Sequence, residues 1–451
     1  METRRLLSVF SVIFILTGLT GLLNASAPLA PVIDKVLPME GNPVRQAAGV
    51  FFFDDFEGRE GLKRYHDVGR AGGRFKVSEK DAFSGKRSLE MAYLSKEKML
   101  ALGHKDPGNA GWCWRFFGDN PKTRSIPPDQ RHKYKVVVAR WYHKFPEGFM
   151  PRDGKYWPPK MARMRAFTPG EWHGAYTFLF WIAGPDGHIS IERHTRSPRA
   201  HREWLPNYAT KFRFSDPVNQ GRWIHFEFRI EIGDKPRSDK WQVWADGVMI
   251  GEATTDDMTG GWQRFCLNGM SWDTYWNGGS PVDQSRFYDD LALSTKPIGP
   301  VRTPLNPVIF TGAFRDADKG DTLKRWEVEV AATTQKPLIC LKRLDGVEFR
   351  AKSAEFERVI VWRGQADGKS KSIIVDTNHG RFLGPLKGKT HLEPNQLYTC
   401  RIRHQDSSGK WSKWSPWHAA FATVWAKGTP KDKRLPPKGF YLGQAAKDIK
   451  R

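Results

Sequence analysis

Two short runs hold the residue types needed to recognise, or to cleave, an acidic sugar polymer. In ARWYHKF, residues 139–145, Arg140, Tyr142 and Lys144 share one parity, and Trp141, His143 and Phe145 share the other. In WIHFEFRIEI, residues 223–232, Trp223, His225, Glu227 and Arg229 alternate with Ile224, Phe226, Phe228 and Ile230. A period of two is that of a strand, so each parity marks one face. β-Elimination of a uronate removes a weakly acidic proton beside a carboxylate. A cation must neutralise that carboxylate as charge develops, and a His or Tyr acts as base or acid. His143, His225 and Tyr142 are therefore the acid–base candidates. Arg140, Lys144 and Arg229 are the carboxylate-binding candidates, with Trp141 and Trp223 as stacking platforms. Glu227 is an orienting partner for His225 or Arg229. Lys160, Arg163 and Arg165 add cations downstream. The plain alternative for the second run is a solvated outer face anchored by one Trp.

Glycoside hydrolysis fits less well. A retaining mechanism needs two carboxylates about 5–5.5 Å apart, and the same-face neighbours of Glu227 are His225 and Arg229. A lyase must also bind its polymer, so the same residue types serve a polysaccharide lyase or a non-catalytic glycan-binding or adhesion protein of the cell surface.

The elements that must position these residues are strands throughout. From Val50 to about Ile298 the chain shows strand-length apolar segments separated by Gly, Pro, Asp and Asn clusters, with no helical period. That pattern implies a sandwich or barrel. Residues 146–172 form an insertion rich in Pro, Lys, Arg, Met and Trp, of a length often used for function. The expected division is 1–27 signal peptide or membrane anchor, 28–49 linker, 50–298 first β-domain, 299–307 linker, 308–425 second β-domain and 426–451 basic tail.

Taken in order, FDDFEG, GRWIHFEFRIEI, KWQVWADGVMIGE and RFYDDLALS resemble the concanavalin A-like jelly-roll superfamily of lectins, laminin-G-type modules, glucanases and polysaccharide lyases. The resemblance is to its secreted polysaccharide-lyase-like members and covers most of residues 50–298. The chain departs from the tighter lyase signatures, carrying neither a Q-x-H nor an R-[ST]-E-L-type strand. The first and last strands of this superfamily are often neighbours, which makes Glu57 and Asp290 candidate ligands of a structural Ca²⁺. Turn closure is the alternative role for these acids, and the chemistry requires no cofactor. In the second domain Leu392, Pro394 and Tyr398 match a tyrosine corner, and Trp411–Ser415 reads WSKWS. These features resemble a fibronectin type III domain with a WSxWS element, and imply that Arg401 and Arg403 insert between Trp rings. The expected class is all-β, a jelly-roll followed by a fibronectin type III-like sandwich.

Charge and cysteines bear on partner and compartment. Lys plus Arg number 72 against 49 Asp plus Glu, a net charge of +23, which favours polyanions. Arg4 and Arg5 precede an apolar run from Leu6 to Leu23 and then Ala25-Ser26-Ala27, the pattern of an export signal or an uncleaved anchor. An exported protein meets acidic polysaccharide rather than nucleic acid, and meets membrane only through that segment. The expected location is periplasmic, extracellular or at the cell surface. Cys113, Cys266, Cys340 and Cys400 fall two to each half, giving 113–266 and 340–400 if each domain keeps its own pair. Buried free thiols are the alternative.

Overall fold

The computed structural model describes residues 30–443 except 106, 109–110, 120–125, 151–158, 168–175, 184–186, 197–201, 257–265, 277, 316–319, 337–340, 345–346 and 351–355. The expected signal or anchor over 1–27, the last residues of the basic tail and Cys340 lie outside the described residues. The chain is built almost wholly of strands, as the alternation predicts.

Residues 50–298 fold as two facing sheets. A seven-stranded sheet runs Arg202–Arg213, His188–Arg196, Tyr176–Ala183, Lys160–Ala166, Gly269–Asp273, Trp112–Phe116, Asp67–Gly69. Opposite it lies a ten-stranded sheet whose centre is Asp239–Ala245, Arg222–Glu231, Val136–Phe145 and Gln284–Ser294. Ile224, Phe226, Phe228 and Ile230 point between the sheets with Trp141, Trp241 and Trp272. This is the all-β jelly-roll sandwich expected from the sequence. Lys160–Ala166, read as part of an insertion, is instead a central strand. Ala162, Met164 and Ala166 fill the core from it, which leaves Arg163 and Arg165 on the outer face.

The Asp289-Asp290 pair marks the place where the last strand changes partners. Residues 284–288 pair with Ser88–Tyr93, and residues 291–294 pair with Val50–Asp54. Between them Asp290 adopts φ 51°, and short polar residues tolerate that left-handed conformation best.

A second sandwich packs a six-stranded sheet against a three-stranded one around Trp326, Val328, Val361, Trp362 and Ile402. One strand of the smaller sheet is Ile33–Val36, paired with Val308–Thr311. The sequence read residues 28–49 as linker because four strand residues among Pro, Ala and Asn show no period. Burial of Ile33 and Val36 against the second core decides otherwise. The tail also docks. Phe440 stacks on Trp244 with centroids 5.5 Å apart, and Trp244 Nε1 donates to the Tyr441 carbonyl at 2.9 Å.

The two sandwiches are joined by main chain. Val347–Arg350, from the second sandwich's chain segment, pairs with Val248–Asp256 and, with Leu341–Leu344 beyond it, completes the ten-stranded sheet. Arg302–Thr303, within the expected linker, pairs in parallel with His418–Thr423. Among the described residues no helix is long and apolar enough to cross a membrane.

Cys113, Cys266 and Cys400 are free thiols, so the expected 113–266 pair does not form and Cys400 is unpaired. Cys113 projects into the first core and Cys400 into the second. Burial pushes both thiols well up, which suits small apolar core residues rather than reactive ones.

Candidate glycan-binding face

The alternation of residues 139–145 and 223–232 is as read, but neither of the faces they form is an open groove. Trp141 and His143 point into the inter-sheet core. His143 lies against Phe145 and Tyr288, with centroids 4.3 and 4.2 Å away, and among the described residues its ring nitrogens have no hydrogen-bond partner. Burial first, and Arg286 second, hold its imidazole neutral.

The opposite face is covered by the inter-domain segment and the second sandwich. Tyr142 stacks on Phe83 at 3.6 Å, and its hydroxyl accepts from the Val301 N–H at 2.7 Å. Glu227 accepts from the N–H groups of Ile298 and Gly299 at 2.9 and 2.8 Å. His225 Nδ1 accepts from the Gly247 N–H at 3.2 Å, and its Nε2 lies 3.5 Å from Glu227. Burial lowers the His225 pKa and Glu227 only partly offsets this. Lys144 binds Asp34 and Asp81 at 2.6 and 2.9 Å. Trp223 Nε1 donates to Asp81 at 3.2 Å. Arg140 faces Asp290 at 3.7 Å, and Arg229 pairs with Glu231. Arg140, Trp141, His143 and Glu227 have zero exposure, so a polymer does not reach them. Their types are those of sugar chemistry, but their partners are those of a domain interface.

Glu57 and Asp290 are each engaged by hydrogen-bond donors of the chain. Glu57 Oε1 accepts from the N–H groups of Lys86 and Arg87 at 2.8 and 2.6 Å. Asp290 accepts from Asn42 Nδ2 at 2.6 Å and the Ser84 hydroxyl at 2.8 Å. Among the described residues no group of three or more His, Cys, Asp or Glu stands together as a metal site. These contacts serve the turn and the strand switch.

Of the cations named from the sequence, Lys160, Arg163 and Arg165 stand half-buried on the outer side of the seven-stranded sheet. In register, Trp114, Ser271 and Arg163 form one outward row, and Phe116, Gly269 and Arg165 form the next. The Arg165 guanidinium stands 5.4 Å from the Trp114 ring and 5.5 Å from Phe167. A Cβ at Gly269 would meet Phe167 at 2.8 Å and Phe116 at 3.0 Å, so a glycine is what lets these rings close over the strand. Arg163, its side chain one-fifth exposed, pairs with Asp273, and Asp273 Oδ1 caps the Tyr275 N–H at 2.8 Å. Lys160 Nζ lies 4.2 Å from the Tyr275 ring centroid. At the far edge Trp112 donates to Asp67 at 3.3 Å. Nearby, His66 Nδ1 accepts the Phe116 N–H at 3.1 Å; burial, then Arg115, lowers its pKa to about 4.

Of this face, Lys160, Arg163 and Arg165 were legible as cations, while Trp112, Trp114, Asp273 and Tyr275 were missed. The missed signal is W-C-W-R-F at 112–116, an alternation in which aromatics rather than charges occupy the outward parity.

No family model matches the chain and no curated protein matches it. Solved structures similar to it include a mutant of the alginate lyase Aly36B in complex with an alginate tetrasaccharide. That structure is 14% identical, with TM-score 0.35, covering 58% of this chain and 98% of the other. An alginate lyase from Chlorella virus is 12% identical, with TM-score 0.35, covering 55% and 99%. The botulinum neurotoxin serotype D binding domain is 7% identical, with TM-score 0.32, covering 83% and 93%.

Proposed function

We propose that the protein binds an acidic, uronate-containing polysaccharide along the outer face of the seven-stranded sheet. The observation that carries this reading is the outward series Lys160, Arg163 and Arg165 on one central strand, with Tyr275 under the first cation and Trp114 and Phe167 beside the last. Guanidinium forks match carboxylates in charge and geometry, and the buried Trp114 and Phe167 rings back the Arg165 fork and hold it in place. The fibronectin type III-like character of the second sandwich belongs to this proposal. It is supported by the Tyr398 hydroxyl closing on the Glu393 N–H at 3.0 Å. Export by the N-terminal segment belongs to it as well.

Binding to alginate, glucuronan and glycosaminoglycans, measured against a neutral glucan, tests the reading. Selective, salt-weakened binding that is lost in Arg163→Gln/Arg165→Gln supports it. Equal affinity for the neutral glucan, or full affinity in the variant, sinks it.

Eliminative cleavage on the same face is the second reading, favoured by Lys160 lying 4.2 Å from the Tyr275 ring centroid and by the Tyr275 N–H bound to Asp273, the partner of Arg163. In that step the Tyr275 phenolate takes the C5 proton. The electron pair forms the C4=C5 double bond as the C4–O bond breaks, and the proton now on Tyr275 passes to the departing oxygen, which restores the phenolate. Arg163 balances the charge that develops on the uronate. The rise in ultraviolet absorbance of the unsaturated product reads it directly.

A further inference from the structure

We infer that the second sandwich carries its own site for a linear, carboxylated or sulfated polysaccharide, on the outer face of its six-stranded sheet. The inference is independent of the Lys160–Ala166 face.

Arg325, Trp411, Arg403, Trp414, Arg401, Trp417 and Arg358 alternate along this face. Each guanidinium carbon lies 4.5–5.6 Å from the next ring centroid. The segment that supplies the rings is pinned by its serines. The Ser412 and Ser415 hydroxyls each accept a strand N–H, from His404 and Ile402, at 3.0 Å. A ladder of this kind would stabilise the fold even with no ligand. What points beyond that role is the position of its carboxylates.

Glu329 has no exposure and lies beneath Arg363 and Arg401, whose side chains are 42% and 27% exposed. Arg401 grips it through Nε and Nη2 at 2.6 Å, and Arg363 through Nε at 2.8 Å. Arg403 holds Glu327 through Nε at 2.8 Å and Nη2 at 2.6 Å. The acids are thus below and the guanidiniums above. Among the described residues Nη1 of Arg363, Arg401 and Arg403 makes no hydrogen bond, so each fork keeps donors for a further acceptor. Arg381, exposed, stands opposite Arg363 across the strand pair. Asp367, the other acid on the outward parity, spends its oxygen on the turn amides of Lys369 and Ser370. The face therefore presents positive charge outward.

Forks held by buried acids and stacked rings are already ordered, so little side-chain entropy remains to be lost when an anion binds. Arg401 and Arg403 are two residues apart on one strand, about 6.6 Å. A chain with an anionic group on successive sugars engages both, and Arg363 and Arg381 extend the track across the sheet. The contacts with the first sandwich run through Ile33–Val36, Val347–Arg350, His418–Thr423 and the docked tail, and Arg363, Arg381, Arg401 and Arg403 take part in none of those described.

The test uses the full chain with Arg363→Gln/Arg381→Gln, two arginines at the rim of the ladder, and compares it with Arg165→Gln. Affinity for long-chain polyglucuronate and for a sulfated glycosaminoglycan is measured over a salt series, with urea midpoints as the control for folding. The expected result is about tenfold weaker polymer binding and a shallower salt dependence at an unchanged midpoint. The ratio of the losses on the two polymers shows whether carboxylate or sulfate is the preferred group. Unchanged polymer affinity in Arg363→Gln/Arg381→Gln overturns the inference, as does equal or tighter binding of that face to duplex DNA or anionic vesicles. If the ladder variant weakens binding and Arg165→Gln does not, this site stands and the first-sandwich reading fails. The reverse pattern removes this site alone.

Discussion

Glu227 and Gly299 are joined by a 2.8 Å hydrogen bond from the Gly299 N–H to the carboxylate, and the adjacent Ile298 N–H binds the other oxygen at 2.9 Å. An acid on a strand of the first sandwich therefore anchors the chain as it leaves for the second. Glu227→Ala strands two buried amides and is expected to destabilise the protein by about 2–5 kcal/mol. Glu227→Gln, which keeps one acceptor, costs less. Urea unfolding checks this. Glycan affinity of the folded variant stays at the native level, and a selective loss of affinity at full stability would return Glu227 to the binding site.

His418 supplies an acid-sensitive part of the same junction. Its Nε2 accepts the Ile33 N–H at 2.8 Å and its Nδ1 bonds the Pro416 carbonyl at 2.8 Å, so the ring is needed neutral. Burial foremost, then Arg222, lowers its pKa to about 3, with Asp246 acting in the opposite direction. An unfolded chain takes up that proton near the ordinary value of about 6.5. The folded pKa is depressed, so this contribution is complete above about pH 6.5 and is lost as pH falls towards 3, by at most about 1.4 kcal/mol per pH unit. Stability measured from pH 7 to 4 should decline less steeply in His418→Gln than in the native chain. Identical slopes would contradict the assignment. His404, also buried and lowered to about 4, adds a decline of the same sign that the variant retains.

Arg165 is held between Trp114 and Phe167, so its replacement removes charge together with stacking. Arg165→Lys keeps the charge but loses the planar fork. It is expected to retain weak, salt-sensitive binding of acidic glycan, and Arg165→Ala to lose about tenfold or more. Calorimetry at two salt concentrations distinguishes them, and equal affinities would show that neither fork nor ring is used.

Tyr275→Phe separates binding from turnover. If elimination occurs on this face, the variant binds polymer at native affinity with no rise in ultraviolet absorbance. Unimpaired product formation by Tyr275→Phe would remove this residue from the reaction.

The buried thiols lead to a redox expectation. Cys113 and Cys400 should resist a thiol reagent in the native state and react on unfolding, and reductant should leave the urea midpoint unchanged. A midpoint lowered by reductant would indicate a covalent link.

Sequence alone determined the local conformations. Alternation in residues 223–232 assigns every side chain to a face, because strand geometry has a period of two whatever surrounds it. Leu392, Pro394 and Tyr398 set the corner, and Arg401 and Arg403 with Trp411 and Trp414 set the middle of the ladder, because those partners lie close in sequence, whereas Arg325 and Arg358 reach its ends from other strands. Tertiary structure decided which faces meet water. Trp223, His225, Glu227 and Arg229 have the composition of a sugar site, and the same composition satisfies the backbone of a domain junction, since a buried amide needs an acceptor as a carboxylate needs donors. Ile33–Val36 became a strand only because its partner stands some 275 residues later at Val308–Thr311. Lys160, Arg163 and Arg165 remained at the surface because Ala162, Met164 and Ala166 claimed the core. Charge and type are carried by each residue, whereas exposure depends on what the rest of the chain packs against it.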